Sequence, residues 1–455
     1  MTASTAWSTL TENRTGGRPT EPALIHSDQL GAGAILVGLV CSGDDETVVL
    51  DGLDELESLL ATLRIPVISR IVQKRQRPTA HCLLGTGKVH EIRDLAETTG
   101  AGLVVFDHQL AAPQVRNLEA MTNRQIVDRT GVILEIFSRH ARSNQAKTQV
   151  EIAKMEYIMP RLSGAWSHFQ RQSGGGGGVM RGMGEKQIEV DRRRARDRVA
   201  RLSRQLEQIQ RDRIVQRKAR RNELKVALVG YTNSGKTTLM KMLTHAVVEA
   251  RDELFATLDT NIKTLDPRTR PKILMSDTVG FIRNLPHSLV ASFKSTLDEV
   301  VEADLLLHVV DVSHQNYRDQ ITTTIEVLAE IGAKDIPTIM VFNKADRLEE
   351  QILPRILVAG WPGAIVVSAL KAGDGERLRE HVYEFFKKNL VHLQVAVPLD
   401  DHYMQSFVHN SCLVLDTDYT QEGRVVFDIQ ATRALMSKLA PFEVGAASAL
   451  AFQEV

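Results

Sequence analysis

The sequence is poor in cysteine and in aromatic residues, and it carries no net charge. Three of its 455 residues are cysteines, aromatic residues make up 5%, and 56 basic residues balance 56 acidic ones. Because Cys41, Cys82 and Cys412 lie far apart, they offer neither a disulfide framework nor a pair of metal ligands. Sparse cysteine favours a reducing compartment, and we therefore expect a cytoplasmic protein.

Long hydrophobic runs are absent as well. No apolar stretch approaches the ~18 residues that a membrane-spanning helix needs, so we expect no transmembrane segment. The first 22 residues are polar and include Glu12 and Glu21. They lack the apolar core of a signal peptide and the acid-poor, Arg-rich character of a transit peptide, which predicts a disordered tail.

The regular features that are present begin with alternating apolar and amphipathic segments. Between residues 34 and 128, short apolar runs alternate with helical patterns, which predicts a small parallel sheet with helices on its faces. From Gly131 to Leu162 only a helical pattern remains, with a kink expected near Pro160. A second alternating region runs from Leu224 to about Leu390, and the remainder predicts a small α+β domain.

A basic segment stands out within the neutral whole. Residues 186–221 contain 14 Lys/Arg and 5 Asp/Glu, and they follow five consecutive glycines at 174–178, which can hold no fixed backbone. A narrow apolar seam at helical spacing is formed by Ala195, Val199, Leu202, Leu206 and Ile209. Most charge runs are simply solvated faces, but an excess of one sign favours an anionic partner.

The stretch "GYTNSGKT", Gly230 to Thr237, matches the phosphate-binding pattern G-x-x-x-x-G-K-[ST]. It follows an apolar strand and precedes a helical pattern, so backbone N–H groups and a helix N-terminus can enclose phosphates. Lys236 is expected to contact the β- and γ-phosphates, and the Thr237 hydroxyl to bind Mg²⁺. By contrast, "GTGK" at residues 85–88 lacks the first glycine and the final Ser/Thr, and it predicts a turn entering a helix.

Three further motifs follow in order: "DTVG" at 277–280, "NKAD" at 343–346 and "SAL" at 368–370. Asp277 can hold Mg²⁺ through water, and the Gly280 amide can approach the γ-phosphate. Asp346 can accept the ring N–H and the exocyclic amine of guanine, while Lys344 lies along the base and residues 368–370 supply a backbone amide. Adenine would leave the carboxylate unpaired, a difference that can discriminate by ~10⁴. Together the motifs predict a GTP-binding domain.

The interval "LFATLDTNIKTL" should provide the threonine that closes over Mg²⁺ and the γ-phosphate. Thr257 is the choice, Thr260 is the alternative, and a plain strand end at "FATL" also fits the spacing. Phe281 occupies the position where many GTPases carry a water-orienting glutamine. We therefore expect slow intrinsic hydrolysis of GTP to GDP and phosphate, stimulated by a partner by ~10³–10⁵. His287, after Pro286, is expected to be structural.

The predicted site has three parts. The residues expected to bind GTP are Gly230, Tyr231, Thr232, Asn233, Ser234, Gly235, Lys236, Thr237, Phe255, Ala256, Thr257, Leu258, Asp259, Asp277, Thr278, Val279, Gly280, Asn343, Lys344, Ala345, Asp346, Ser368, Ala369 and Leu370. The expected Mg²⁺ ligands are Thr237, Thr257 and, through water, Asp277. Catalytic roles fall to Lys236, Thr257 and Gly280.

The sequence resembles the HflX family of translational GTPases from about Val67 to Leu390. The resemblance rests on "RPTAHCLLGTGKVHEI", "VVFDHQLAAPQVRNLE", "VDRTGVILEIFSRHARSNQAKTQVEIAKMEY", "GGGVMRGMGEKQIEVDRR", "VGYTNSGKTTL", "LFATLDT" and "DTVGFIRNLPHSLVASFKSTLDE". It implies binding to the large ribosomal subunit and its RNA, and GTP-linked splitting or rescue of ribosomes. It also implies that the loop between two long helices reaches ribosomal RNA.

On this interpretation Gly174–Gly184 forms an RNA-probing tip, because bare backbone can approach RNA closely. The arginines expected to bind RNA are Arg181, Arg192, Arg193, Arg194 and Arg196. Three alternatives stay open at this point. They are nucleotide-dependent remodelling of ribosomal RNA that uses ATP as well, a ribosome-assembly factor, and a membrane-linked or protease-regulating partner protein.

The predicted fold class is α/β, for a chain expected to be a monomer. The expected segments are a tail (1–22), an N-terminal α/β domain (23–135), an antiparallel helical hairpin (136–222) with a glycine-rich loop (173–184), a P-loop GTPase domain with a Ras-like mixed sheet (223–390) and a small α+β C-terminal domain (391–455).

Overall fold

The computed structural model describes residues 24–25, 31–161, 179–219, 223–244, 254–255, 257–259, 261–283, 294–348, 353–420 and 423–444. The predicted tail, the glycines 174–178, Ala256, Thr260 and His287 lie outside them. The chain divides into two compact units, which are Met1–Gln210 with Glu253–Leu258 and Asn284–Phe293, and Arg211–Asp252 with Asp259–Arg283 and Lys294–Val455. The domain boundaries expected from the sequence stay predictions.

The first unit contains a parallel sheet of four strands in the order β2-β1-β3-β4. Its strands are β1 (Ala34–Val40), β2 (Val67–Lys74), β3 (Leu103–Phe106) and β4 (Gln125–Asp128). The helices that connect and follow them are α1 (Glu46–Thr62), α2 (Thr86–Thr99), α3 (Ala112–Thr122), α4 (Arg129–His140) and α5 (Asn144–Ile158). The parallel sheet with connecting helices confirms the predicted fold of this region.

The sequence explains why β1 lies at the centre of this sheet. All seven residues of "AILVGLV" are buried, as expected for a parallel strand covered by helices on both faces. Ile35, Val37 and Leu39 belong to a core that includes Phe106 and Leu118. Helix α1 begins at Glu46, before the amphipathic pattern in the sequence. Asp45 caps this start by accepting a hydrogen bond from the Thr47 N–H at 2.9 Å.

The region after β4 is helical as predicted, but the expected kink near Pro160 is wrong. It forms two helices, α4 and α5, and Ser143 starts the second by accepting from the Ala146 N–H at 3.1 Å. Helix α5 ends at Ile158, so Pro160 follows the helix instead of kinking it. Proline lacks an N–H and its ring clashes with the carbonyl four residues earlier, which makes termination the cheaper solution.

Buried ionic contacts join the carboxyl ends of β3 and β4 to helix α1. The Arg129 guanidinium pairs with Glu55 and, at 2.8 Å, with Asp107, and only 4% of the Arg129 side chain is exposed. The neighbouring Asp128 is fully buried and accepts from the Tyr157 hydroxyl at 2.8 Å and the Arg161 guanidinium at 2.9 Å. Each buried charge therefore has an oppositely charged or hydrogen-bonding partner.

The arginine-rich segment forms helix α6, Val179–Ala219. Ala195 and Leu202 are buried in its seam, and the Arg198 guanidinium donates to Glu151 on α5 at 2.7 Å. The predicted C-terminal boundary of the loop at 173–184 is wrong, because residues 179–184 belong to the helix. Extending a long helix adds a hydrogen bond per residue, which can offset the ~1 kcal/mol that each glycine costs.

The second unit contains a mixed sheet of six strands in the order β10-β9-β8-β5-β7-β6. Its strands are β5 (Leu224–Val229), β6 (Asn261–Thr264), β7 (Ile273–Asp277), β8 (Leu305–Asp311), β9 (Thr338–Asn343) and β10 (Ile365–Val366). Its helices are α7 (Lys236–Thr244), α8 (Lys294–Val301), α9 (Tyr317–Glu330), α10 (Leu353–Gly360) and α11 (Ala372–Lys387). Only β6 pairs antiparallel, so the mixed sheet expected from the sequence is confirmed.

The C-terminal part of this unit is a small α+β structure, again as predicted. Its antiparallel strands, in the order β11-β13-β12, are β11 (Val391–Pro398), β12 (Leu413–Tyr419) and β13 (Arg424–Ala431). Helices α12 (His402–Ser411) and α13 (Met436–Leu439) accompany them. All three cysteines are free thiols. Within the described ranges, no helix is both long enough and apolar enough to cross a membrane.

We predict that Arg129→Ala lowers the free energy of unfolding of the first unit by about 3–5 kcal/mol, because it leaves the Glu55 and Asp107 carboxylates buried without their counter-ion. Urea unfolding of the full chain, followed by hydrogen exchange of the β3 and β4 amides, measures this change. Lys74→Ala is the matched control, since its pair with Glu46 is exposed and should contribute under ~1 kcal/mol. Equal losses in both variants would contradict the assignment.

Candidate active site

Two glycines shape the loop between β5 and α7. Gly230 has φ +144°, and a Cβ there would lie 2.2 Å from the Val309 carbonyl oxygen. Gly235 has φ +96°, and a Cβ there would lie 2.2 Å from the side-chain nitrogen of Asn343. Both positions therefore require glycine, and they direct the loop into the N-terminus of α7. Such a helix start is suited to hold phosphate groups.

Lys236 lies inside this loop with its side chain almost fully buried. Its Nζ donates hydrogen bonds to the carbonyls of Gly230 at 3.1 Å and Tyr231 at 2.8 Å. Burial lowers the pKa of Lys236 to about 8, the Asp277 carboxylate opposes this shift, and the positive charge of Lys344 adds to it. The two carbonyls that accept from Lys236 are neutral. A bound phosphate would therefore supply a negative charge next to the ammonium.

A hydroxyl and a carboxylate meet at the first turn of α7. The Thr237 hydroxyl donates to Oδ2 of Asp277 at 2.7 Å, and Asp277, at the end of β7, is fully buried. The next residue is anchored too, because the Thr278 hydroxyl donates to the Leu228 carbonyl at 2.6 Å. A hard cation such as Mg²⁺ prefers oxygen ligands of this kind, so the donor set fits the predicted metal.

The segment after "DTVG" is hydrogen-bonded to the phosphate loop. The Phe281 N–H donates to the Gly230 carbonyl at 3.1 Å, and the Thr232 N–H donates to the Phe281 carbonyl at 2.7 Å. The Arg283 N–H donates to the Tyr231 hydroxyl at 2.8 Å. Phe281 is 2% exposed, so its ring is buried and provides no hydrogen-bonding group where a glutamine would orient water.

Three motifs that are distant in the chain meet around Asn343. Its amide nitrogen donates to the Ser234 carbonyl at 2.9 Å, and its amide oxygen accepts from the Ala369 N–H at 3.0 Å. The Ser368 hydroxyl donates to Asp346 at 2.5 Å. The structure therefore brings the "NKAD" and "SAL" motifs to the phosphate loop, as a guanine site requires.

Sequence reasoning missed one residue of this region, Asp311 at the end of β8. Its carboxylate lies 2.7 Å from the Lys344 ammonium. The only signal for it was its place as the last, acidic residue of the apolar strand "LLLHVVD".

Among the residues expected to close over Mg²⁺ and the γ-phosphate, Phe255 has contacts that the structure describes within the first unit. Phe255 is 1% exposed and belongs to the first unit, where its ring packs edge-on against Phe137 with centroids 4.8 Å apart. Its carbonyl lies 2.8 Å from Nδ1 of His140. The nucleotide and Mg²⁺ contacts expected of Thr257 and its neighbours stay predictions.

The arginines predicted to bind RNA are placed only in part. Arg193, Arg194 and Arg196 are exposed on α6, and Arg192 is half-buried. The side chain of Arg181 lies outside the described part of the chain.

Comparison with known families gives three consecutive matches. Residues 51–138 match the family "GTP-binding GTPase N-terminal", and residues 140–220 match "GTP-binding GTPase Middle Region". Residues 225–344, which carry the phosphate loop and Asn343, match the family described as "50S ribosome-binding GTPase".

Curated relatives named GTPase HflX are similar over most of the chain. The protein from Gluconacetobacter diazotrophicus is 41% identical over 444 residues, covering 89% of this chain and 96% of the relative. The Escherichia coli protein is 42% identical over 331 residues, covering 72% and 76%. A GTP-binding protein from Sulfolobus solfataricus, solved with GDP, is 23% identical over 78% of this chain and 99% of its own, with a TM-score of 0.41. A TM-score this low does not support a family assignment.

We predict that the affinity for GDP falls as the pH rises through about 8, the pKa of Lys236. In the complex, phosphate oxygens keep the ammonium charged, whereas above that pH the free protein must first take up a proton. Each further pH unit should therefore raise Kd about tenfold. Titration with a fluorescent GDP analogue between pH ~7 and ~9.5 measures the dependence.

Lys236→Arg serves as the control, because a guanidinium does not lose its proton in this range. This variant should bind with a flat pH profile even if its overall affinity is lower. A flat profile in the natural protein, or the same slope in the variant, would show that Lys236 does not control the dependence.

Proposed function

The chain belongs to the HflX family of GTPases, and on that premise we propose that its GTP cycle controls binding to the large ribosomal subunit. The protein binds and hydrolyses GTP. The proposed consequence is that the GTP-bound form docks on ribosomal RNA and splits or rescues ribosomes, and that hydrolysis releases it. We further propose that the protein acts in the cytoplasm and as a monomer.

The proposed chemistry follows from the residues of the phosphate loop. Loop amides and Lys236 would hold the β- and γ-phosphates, and the Gly280 amide would contact the γ-phosphate. Thr237, Thr257 and, through water, Asp277 would hold Mg²⁺, which neutralises the charge that develops on the phosphates. Asp346 would select guanine by accepting two hydrogen bonds, because adenine lacks the corresponding donors.

The buried phenyl ring of Phe281 supports slow intrinsic hydrolysis. A water molecule positioned for attack needs a hydrogen-bonding group, and this position supplies none. A partner that contributes or arranges such a group would accelerate the reaction. A ribosome that both binds the protein and completes its active site would couple hydrolysis to docking.

The observation that carries the ribosomal proposal is the arginine face of helix α6. Ala195 and Leu202 turn inward, while Arg193, Arg194 and Arg196 are exposed, so the positive charge is concentrated away from the packed side. Guanidinium groups neutralise phosphates and stack on bases, which makes this face suited to RNA. The description of the matching family as ribosome-binding points the same way.

The five glycines 174–178 are proposed to extend this face as a probing tip. Glycines present backbone without side chains, so the tip can approach an irregular RNA surface closely. Arg181 lies in the first turn of α6, next to this tip, and Arg192 lies on α6 beside the exposed arginines.

We predict that purified large subunits raise GTP turnover by ~10³–10⁵, because the isolated chain lacks a water-orienting side chain at residue 281. Phosphate release with and without subunits measures the stimulation, and sedimentation of intact ribosomes with GTP or with GDP measures splitting. Neither stimulation nor subunit release would remove the ribosomal proposal. RNA-duplex unwinding that needs ATP would favour remodelling in its place.

We predict that replacing Arg192, Arg193, Arg194 and Arg196 together by alanine flattens the salt dependence of large-subunit binding. Each lost phosphate contact should reduce the slope of log affinity against log salt by about 0.7–0.9. The matched control removes four exposed arginines of the second unit, Arg355, Arg377, Arg424 and Arg433. If both quadruple variants change the slope equally, general charge and not the α6 face binds the RNA.

A further inference from the structure

Asp311 is a mostly buried carboxylate whose two oxygens have different partners. Oδ1 accepts hydrogen bonds from the Ser313 N–H at 3.0 Å and the Ser313 hydroxyl at 2.6 Å. Oδ2 lies 2.7 Å from Nζ of Lys344. Because Ser313 fixes one edge of the carboxylate, the other edge has a defined direction toward the lysine.

Lys344 is held at both ends. Its backbone adopts φ +61°, a left-handed conformation that is uncommon for residues other than glycine. Its ammonium is held by Asp311, and the side chains of the two residues are 16% and 13% exposed. Asp311 pairs with Asn343 across β8 and β9, which places the carboxylate beside the residue that precedes the lysine.

We propose that Asp311 is a positioning residue for guanine binding, holding the Lys344 side chain extended along the plane that the base occupies. The inference rests on the proposed guanine site, since Lys344 is the residue expected to lie along the base. Asp311 would act through Lys344. Without the carboxylate, Lys344 would sample other rotamers, and their loss on binding would weaken affinity.

A purely structural role is the alternative, in which Asp311 only stabilises the turn at Ser313. Asp311→Asn separates the two roles, because the amide oxygen can still accept from Ser313 while the charge that holds Lys344 is lost. Lys344→Met keeps the apolar stem of the lysine and removes the ammonium. The double variant shows whether Asp311 acts through Lys344.

The experiment measures GDP affinity and steady-state GTP turnover for the natural chain, both single variants and the double variant. Asp311→Asn should raise Kd for GDP and KM for GTP about tenfold with kcat unchanged, because the base contacts are alike in the ground and transition states. Adding Asp311→Asn to Lys344→Met should cause no further loss.

Asp304→Asn is the matched control, since Asp304 precedes the same strand and accepts from the Lys225 N–H at 2.8 Å. It should leave GDP affinity unchanged. If Lys344→Met binds GDP normally, the guanine site itself is wrong. If Lys344→Met binds weakly but Asp311→Asn binds normally, or if the two losses multiply in the double variant, the positioning role of Asp311 is overturned.

Discussion

The nucleotide site depends on a buried ammonium group that neutral carbonyls solvate incompletely. Lys236 lies among the carbonyls of Gly230 and Tyr231, and burial moves its pKa from 10.5 to about 8. A shift of that size corresponds to roughly 3 kcal/mol of unfavourable charging. An anion between the loop amides and this lysine removes the cost. We therefore expect phosphate to complete this loop, and we expect proton uptake to be coupled to nucleotide binding at this side chain.

Asn343 connects this phosphate site to the part that would recognise the base. Its amide donates to Ser234 in the loop and accepts from Ala369, so one side chain fixes two segments that lie far from it in the chain. The close approach of Gly235 to the same amide leaves no room for a larger residue. Fixing these segments in advance favours selective binding of one base, because the groups expected to face the ligand need not be ordered when it binds. Asp311 extends the same logic to Lys344, whose ammonium it holds from the neighbouring strand.

The first unit is stabilised by different interactions. Its sheet is held by a fully apolar strand β1 and by compensated buried charges, with Arg129 between Glu55 and Asp107. The same unit includes Phe255, buried against Phe137 and bonded through its carbonyl to His140. Phe255 comes from the interval that the sequence predicts to close over Mg²⁺ and the γ-phosphate. Phe255 is thus stabilised by aromatic packing within this unit, a contact that no local sequence pattern predicted.

The sequence by itself determined the features that depend on local chemistry and periodicity. These include the parallel sheet at residues 34–128, the strand–loop–helix at "GYTNSGKT", the order of the guanine motifs and the absence of a glutamine at residue 281. Errors occurred where helix ends were decided by small energies, as at Val179 and Ile158. Only the tertiary structure decided that Asp311 faces Lys344, that Phe281 is buried and that Phe255 packs on Phe137. Periodicity reports which face of an element is apolar, whereas a contact between distant residues depends on strand register and packing, which no single segment encodes.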